Sequence, residues 1–367
     1  MDNFLHNLEI KNFKSIKHIE TDCKRVNVFI GKPNVGKSNI LEALGLFSAP
    51  YSTNENKYLS EFIRYEEISN LFYDDDILNL IEVNTDKARA IMRYHANNIN
   101  QADLIIGKGD WIDELINHNK SISAIQNAFY NLKENNTEFK STSHYIIPSH
   151  TAIQPNGVAN KNSHESESSS PIKKYHYKEI KDFSNKFPLY LMPPNGNNLF
   201  TVVDHNKELR KEIVDIFSEY GLNFVASKKE SKFEIQKNVD GYISKFNYSS
   251  IADTFQRLIF YYAVIDSNKN SVLVLEEPEV HSFPPYTKEL SDRIIDSKEN
   301  QFFITTHSPY LLQNLISNLD SLELNVFITY FENYETKIKK LSNEELRKVS
   351  EFSVDLFYNL NQFVSNA

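Results

Sequence analysis

Apolar residues change their period several times along this chain, and each change predicts an element. Between residues 5 and 20, Leu8, Ile10, Phe13, Ile16 and Ile19 follow the rough alternation of strands. Residues 25–30 read as a buried strand. From Ser38 onward Ile40, Leu41, Ala43, Leu44 and Phe47 keep a helical period, with the exit at Pro50. Residues 51–135 read as mostly helical, and the acids Asp74, Asp75 and Asp76 as a solvated loop or helix cap. The segment "NGVANKNSHESESSSPIKK", 156–174, has almost no large apolar residue and is expected as a long exposed loop. "KELRKEIVDIFSEYGL" predicts a helix closed by Gly221. "KFEIQKNVDGYISKFNY" alternates as a hairpin turning at Asp240-Gly241. Toward the end, "SVLVLEE" (271–277), "PPYTKELSDRIIDSK" and "QFFITTH" (301–307) read as strand, helix and strand. That order implies a parallel pair covered on both faces. "LNVFITYFENYETKIKKLSNEEL" predicts a further hairpin and helix. The class is α/β, with a core split between residues 1–50 and 236–367 and a mostly helical insertion at 51–235.

Composition narrows the classes of function. The chain has 367 residues, 40% of them apolar, enough for one elaborated domain or two lobes. No apolar run reaches membrane-spanning length, and "MDNFLHNLEIKNFKS" lacks the apolar block of an export signal. The one cysteine, Cys23, excludes an intramolecular disulfide and fits a reducing cytoplasm. A net charge of −9 is not the footprint of a generally basic nucleic-acid binder, although a local basic groove is compatible with it. The eleven histidines are scattered and show no zinc spacing with the cysteine. No internal repeat or sustained heptad is visible.

The candidate chemistry begins with glycine. Only nine glycines occur in the chain, yet Gly31 and Gly36 fall within six residues. Gly31-Lys32-Pro33-Asn34-Val35-Gly36-Lys37-Ser38 fits G-x-x-x-x-G-K-[ST] between a predicted strand and a predicted helix. In that context the loop curls its backbone N–H groups around phosphate oxygens, and the helix start adds its positive end. Lys37 is then suited to the β- and γ-phosphates, Ser38 to Mg²⁺, and Asn39 joins the same binding segment. "VLVLEEPEVH" supplies two acids at the end of a buried strand, where open α/β sheets place their ligands. Glu276 is suited to Mg²⁺, and Glu277 to deprotonating an attacking water. The neighbouring strand ends in "ITTHSP", bringing His307 to the same sheet edge as a contact for a γ-phosphate.

Taken together, "LEIKNFKSI", the phosphate loop, "LVLEEPEVHSFPP" and "FFITTHSPYLL" resemble the ABC-type ATPases of the SMC/RecF/OLD group, most closely those of bacterial anti-phage systems. The resemblance covers about the first 48 and the last hundred or so residues. It implies an ABC-type P-loop ATPase head, a mixed β-sheet flanked by helices. It also implies ATP and Mg²⁺ as cofactors, Lys37 and Ser38 on phosphate and metal, Glu276 as the metal-side acid, Glu277 as base and His307 as switch. Lys14 falls where this group often carries a basic residue reaching the nucleotide; an edge-strand surface lysine is the other reading. The chain departs from the family at "SSIADTFQRLIFYY", where Ala252, Asp253 and Thr254 replace the signature Ser-x-Gly, and in having Glu276 where aspartate is usual. After Pro309 no cluster of acids with nuclease spacing appears. The expectation is therefore an ATPase that forms a homodimer or higher oligomer and controls a co-encoded effector, a nuclease, in the cytoplasm. A RecF-like DNA clamp and a slow nucleotide-dependent scaffold remain the alternatives.

Overall fold

The computed structural model describes residues 3–95, 98–109, 112, 149–160, 170–352 and 355–364. Its strands in chain order begin with β1 (Asn7–Phe13), β2 (Ile16–Asp22), β3 (Val26–Ile30), β4 (Ile81–Thr85), β5 (Arg89–His95) and β6 (Asn98–Gly107). They continue with β7 (Ser149–Ile153), β8 (Ala159–Asn160), β9 (Ile172–Tyr175), β10 (Asn223–Ser227), β11 (Lys232–Val239) and β12 (Tyr242–Asn247). The last four are β13 (Val272–Glu276), β14 (Gln301–Thr305), β15 (Leu324–Glu332) and β16 (Glu335–Lys340). The described α-helices are α1 (Lys37–Gly45), α2 (Leu199–His205), α3 (Lys207–Ser218), α4 (Asp253–Ser267), α5 (Pro284–Asp296), α6 (Pro309–Asn318), α7 (Asn343–Phe352) and α8 (Leu356–Val364).

The strands form three sheets. The central one runs β16-β15-β3-β14-β13-β9, parallel from β15 to β9 with β16 antiparallel at its edge. Its strands alternate between two apolar layers. Val26, Val28 and Ile30, Leu273 and Leu275, and Phe302 and Ile304 face the layer shared with α4, α5 and α6. Phe29, Val272, Val274 and Phe303 face α1 and the antiparallel sheet β2-β1-β4-β5-β6-β7-β8. A strand buried on both faces needs apolar residues at every position, which is why "VLVL" and "FFI" run unbroken. Helix α1 is thereby held between two sheets, and the loop before it is held with it. The third sheet, β10-β11-β12, packs Phe224, Phe233 and Ile235 onto the first layer.

Several expected elements stand where the periodicity put them: β1 and β2, β3, α1, the α3 helix before Gly221, the β11–β12 hairpin at Asp240-Gly241, and the β13–α5–β14 unit. The insertion needs correction. In its described first part, residues 51–95 and 98–108 form 3-10 turns and the strands β4, β5 and β6, with no α-helix, while Gly109 and Ile112 are helical as expected. Ile81 and Val83, Ala90 and Met92, and Ala102, Leu104 and Ile106 are buried at alternate positions, a period of two that short apolar runs do not separate from a helix by eye. The remainder of that helical expectation, 110–111 and 113–135, lies outside the described residues. A second correction concerns the polar segment 156–174. Its residues 161–169 lie outside the described set, but Ile172, Lys173 and Lys174 are buried in β9, an edge strand of the central sheet. Both lysines find buried oxygen acceptors, Lys173 on Asn268 and Ser271 and Lys174 on the Phe62 carbonyl, so polar composition concealed a core strand.

Candidate functional site

The loop between β3 and α1 has the shape its glycines demand. Gly36 caps α1 at φ 93°, and a Cβ there would lie 2.0 Å from Thr336 Oγ1 and 2.9 Å from Ser15 Oγ. A Cβ on Gly31 would lie 2.2 Å from the Thr329 carbonyl oxygen. Glycine is needed because the loop lies directly against the β15–β16 hairpin. The arch Lys32, Pro33 and Asn34 is exposed while Val35 is buried. Thr336 Oγ1 donates to the Val35 carbonyl at 3.0 Å, and Asn39 Nδ2 donates to Ser15 Oγ at 2.7 Å. Asn39 is therefore a brace for the loop. Lys37 is buried and its Nζ donates to the carbonyls of Gly31 (3.0 Å) and Lys32 (2.7 Å), arching over the space the backbone encloses. Burial pushes its pKa down, while Glu277 and Glu276 pull the other way. The uncapped first turn of α1 and this ammonium together present the positive face that an anion site requires.

The acids arrive from the opposite side. Glu276 ends β13, and its carboxylate accepts from Arg64 Nη2 at 2.7 Å, with Lys174 Nζ 3.8 Å away and the Ser38 hydroxyl near enough to favour its charged form. Burial works to raise its pKa, but Lys174, Ser38 and Arg64 outweigh it and hold the carboxyl below the usual range. A hydroxyl and a carboxylate side by side form an oxygen donor pair that fits a hard divalent cation. Glu277 follows in a left-handed conformation, φ 44°, with its N–H donated to the Thr305 carbonyl at 3.0 Å. Its Oε1 lies 3.5 Å from His307 Nε2, and the two side chains are 34% and 40% exposed. Burial and then Lys37 lower the His307 pKa against the pull of Glu277, which favours a neutral imidazole at pH 7.

Lys37, Ser38, Glu276, Glu277 and His307 are thus brought to one edge of the central sheet. Lys14 is not free there. Its Nζ is paired with the buried Glu42 and donates to the Arg64 carbonyl at 2.5 Å. The segment carrying Ala252, Asp253 and Thr254 begins α4 without a side-chain cap, and Thr254 Oγ1 donates to the His281 carbonyl at 2.7 Å. Sequence reasoning missed Glu42, Arg64, Lys174 and Glu279. Glu42 carried a signal, being an acid within the run "ILEAL" on a buried helix. Arg64 carried none, because its partners Glu42 and Glu276 meet it only in the folded chain. Beside the loop an open cavity of about 790 Å³ is lined by Lys14, Ser15, Arg64, Tyr65, Phe72 and Tyr334, among others. A second, of about 680 Å³ around Arg293, lies by Asn268 and Asn300 at the opposite ends of β13 and β14.

Residues 26–313 match the family described as "AAA domain, putative AbiEii toxin, Type IV TA system". The matched stretch is more than half of the chain and includes the loop, both acids and the histidine. This chain belongs to that family. Among solved structures, an Smc head bound to the C-winged helix domain of ScpA is 16% identical with a TM-score of 0.50, covering 94% of this chain and 99% of that one. An Smc head domain with an extended coiled coil, bound to the C-terminal domain of ScpA derived from Pyrococcus furiosus, is 13% identical with a TM-score of 0.48, covering 95% and 99%. Curated proteins give no match. The AAA-domain chain has the fold of an ABC-type, SMC-head-like P-loop ATPase, and none of its described helices is long and apolar enough to cross a membrane.

Proposed function

We propose that this AAA-domain protein hydrolyses ATP and uses its nucleotide state to control a separately encoded effector. The observation that carries the ATPase part is the convergence of Lys37, Ser38, Glu276, Glu277 and His307 at one sheet edge. The loop N–H groups and Lys37 bind the phosphates, exchanging the two carbonyl contacts of the Lys37 ammonium for phosphate oxygens. The nucleoside end enters the cavity beside Ser15, whose hydroxyl already touches the loop brace Asn39. Ser38 and Glu276 would hold Mg²⁺, which when bound would screen the phosphate charge. Glu277 takes the proton of the water attacking the γ-phosphorus, and the neutral His307 hydrogen-bonds the γ-phosphate. Calorimetry with ATP and a phosphate-release assay test this directly; a protein that neither binds nor hydrolyses ATP overturns it.

Two further parts of the proposal rest on less. Glu277 and His307 are partly exposed, and so is the start of α4 at Ala252 and Asp253, so one side of the site is open. That openness supports ATP-driven pairing of two copies, each closing the other's site with its α4 segment. Sedimentation of the Glu277→Gln protein should show a dimer with ATP and a monomer without it. The family's description names a toxin–antitoxin system, which supports a defence setting, and we expect the protein to act in the cytoplasm and a co-encoded partner, a nuclease, to copurify with it. A chain that purifies without such a partner and binds DNA itself would move the DNA-clamp reading ahead.

A further inference from the structure

We propose that Glu279 is a positioning residue that sets the His307 ring against Glu277 by gripping the backbone just beyond β14. The inference rests on the ATPase reading of the same site. At Thr306 the ladder to β3 has stretched to 3.4 Å, and His307 lies past the end of the sheet, so its N–H needs another acceptor. Glu279 Oε1 provides it at 2.9 Å and accepts from Thr306 Oγ1 at 2.6 Å. The same residue sits in the turn that carries Glu277, closed by Val280 N–H donating to the Glu277 carbonyl at 3.1 Å. One side chain therefore ties the segment of the base to the segment of the histidine.

The carboxyl is unusual in being 8% exposed with its second oxygen, Oε2, buried and unpartnered among the described residues. A carboxylate would leave a charge on that buried oxygen, whereas the neutral acid leaves only a hydroxyl without a partner, the smaller cost. Burial, with Glu277 nearby, raises the Glu279 pKa in the same direction. An amide reproduces this arrangement, with its oxygen in the place of Oε1. Misplacement of a reacting group by about 1 Å costs on the order of 10²-fold in rate.

Steady-state ATP hydrolysis by the full chain tests the proposal, alongside the ¹H–¹³C signal of the His307 ring, assigned by its loss in His307→Gln. Glu279→Ala should lower kcat by about 10- to 100-fold with KM for ATP within about threefold. It should also shift or broaden the His307 signal, while Glu279→Gln restores both. If Glu279→Ala melts well below the wild type, Glu279→Asp, whose carboxyl falls short of the His307 N–H, replaces it with the same expectation. An unchanged kcat and ring signal in the shortened variant overturns the proposal. So does a Glu279→Gln protein as impaired as the alanine variant, since the charge would then be what matters. A wild type that binds ATP without turnover defeats the ATPase reading instead, and the ring signal alone then decides the role of Glu279.

Discussion

The phosphate loop and the acid–histidine edge face each other across the same small space but are held in different ways. The loop is one continuous segment, Gly31 to Ser38, pressed between β3, α1 and the β15–β16 hairpin. Its shape follows from two glycines and a few backbone contacts. The opposite edge is assembled from β13, β14 and the residues after them, and it is pinned by side chains from elsewhere: Arg64 and Lys174 on Glu276, and Glu279 on the His307 backbone. A preformed backbone cradle suits binding an anion that does not change. A set of charged side chains in mutual balance suits a step in which charge and proton move. The loop should therefore govern nucleotide affinity, and the strand ends turnover.

The largest expected effect tests the turnover half. Glu277→Gln keeps the shape but removes the base, and should lower kcat about 10²–10⁴-fold, roughly 3–5 kcal/mol of barrier, with ATP binding retained. If turnover survives in Glu277→Gln and is lost in Glu276→Gln, the two acids have exchanged roles. Lys37→Ala addresses the binding half. Loss of a buried charged partner costs about 2–5 kcal/mol, so calorimetry should show ATP affinity reduced by at least about thirtyfold. Equal affinity for both proteins would remove the loop from the phosphate site, and weakened binding in Glu277→Gln of the same size would erase the distinction between the two halves.

Gly36→Ala is a smaller perturbation of the cradle. A left-handed alanine costs roughly 1–2 kcal/mol before the clash with Thr336 Oγ1 is counted. A lower melting temperature and weaker ATP binding are expected together, and a variant that matches the wild type in both would contradict the packed loop. The smallest effect should come from Arg64→Ala. Arg64 is 69% exposed, so its pairing with Glu276 is worth about 0.5–1 kcal/mol at most. Removing it should leave the Glu276 charge without one of its competing cations and lower the Mg²⁺ concentration for half-maximal turnover by a few-fold. A higher Mg²⁺ requirement would mean that Arg64 orients Glu276 rather than competing with the cation.

What the sequence determined by itself was local. The phosphate loop, the buried strands β3, β13 and β14, the Asp240-Gly241 hairpin and the end of α3 all follow from residue spacing, turn chemistry and the period of apolar positions, which act within a few residues. The positions of Glu276, Glu277 and His307 at one sheet edge were legible for the same reason, because Glu276 ends β13, Glu277 follows it and His307 stands two residues past β14. The strands β4, β5 and β6 were not, since their alternating apolar residues became a face only when β1 paired with β4. Nor was β9, whose Lys173 and Lys174 read as solvated until Asn268, Ser271 and the Phe62 carbonyl came within reach. The tertiary structure alone decided which charges meet. Glu42, Arg64, Lys174 and Glu276 are far apart in the chain, and a charge is tolerated in a protein interior only when packing delivers its partner.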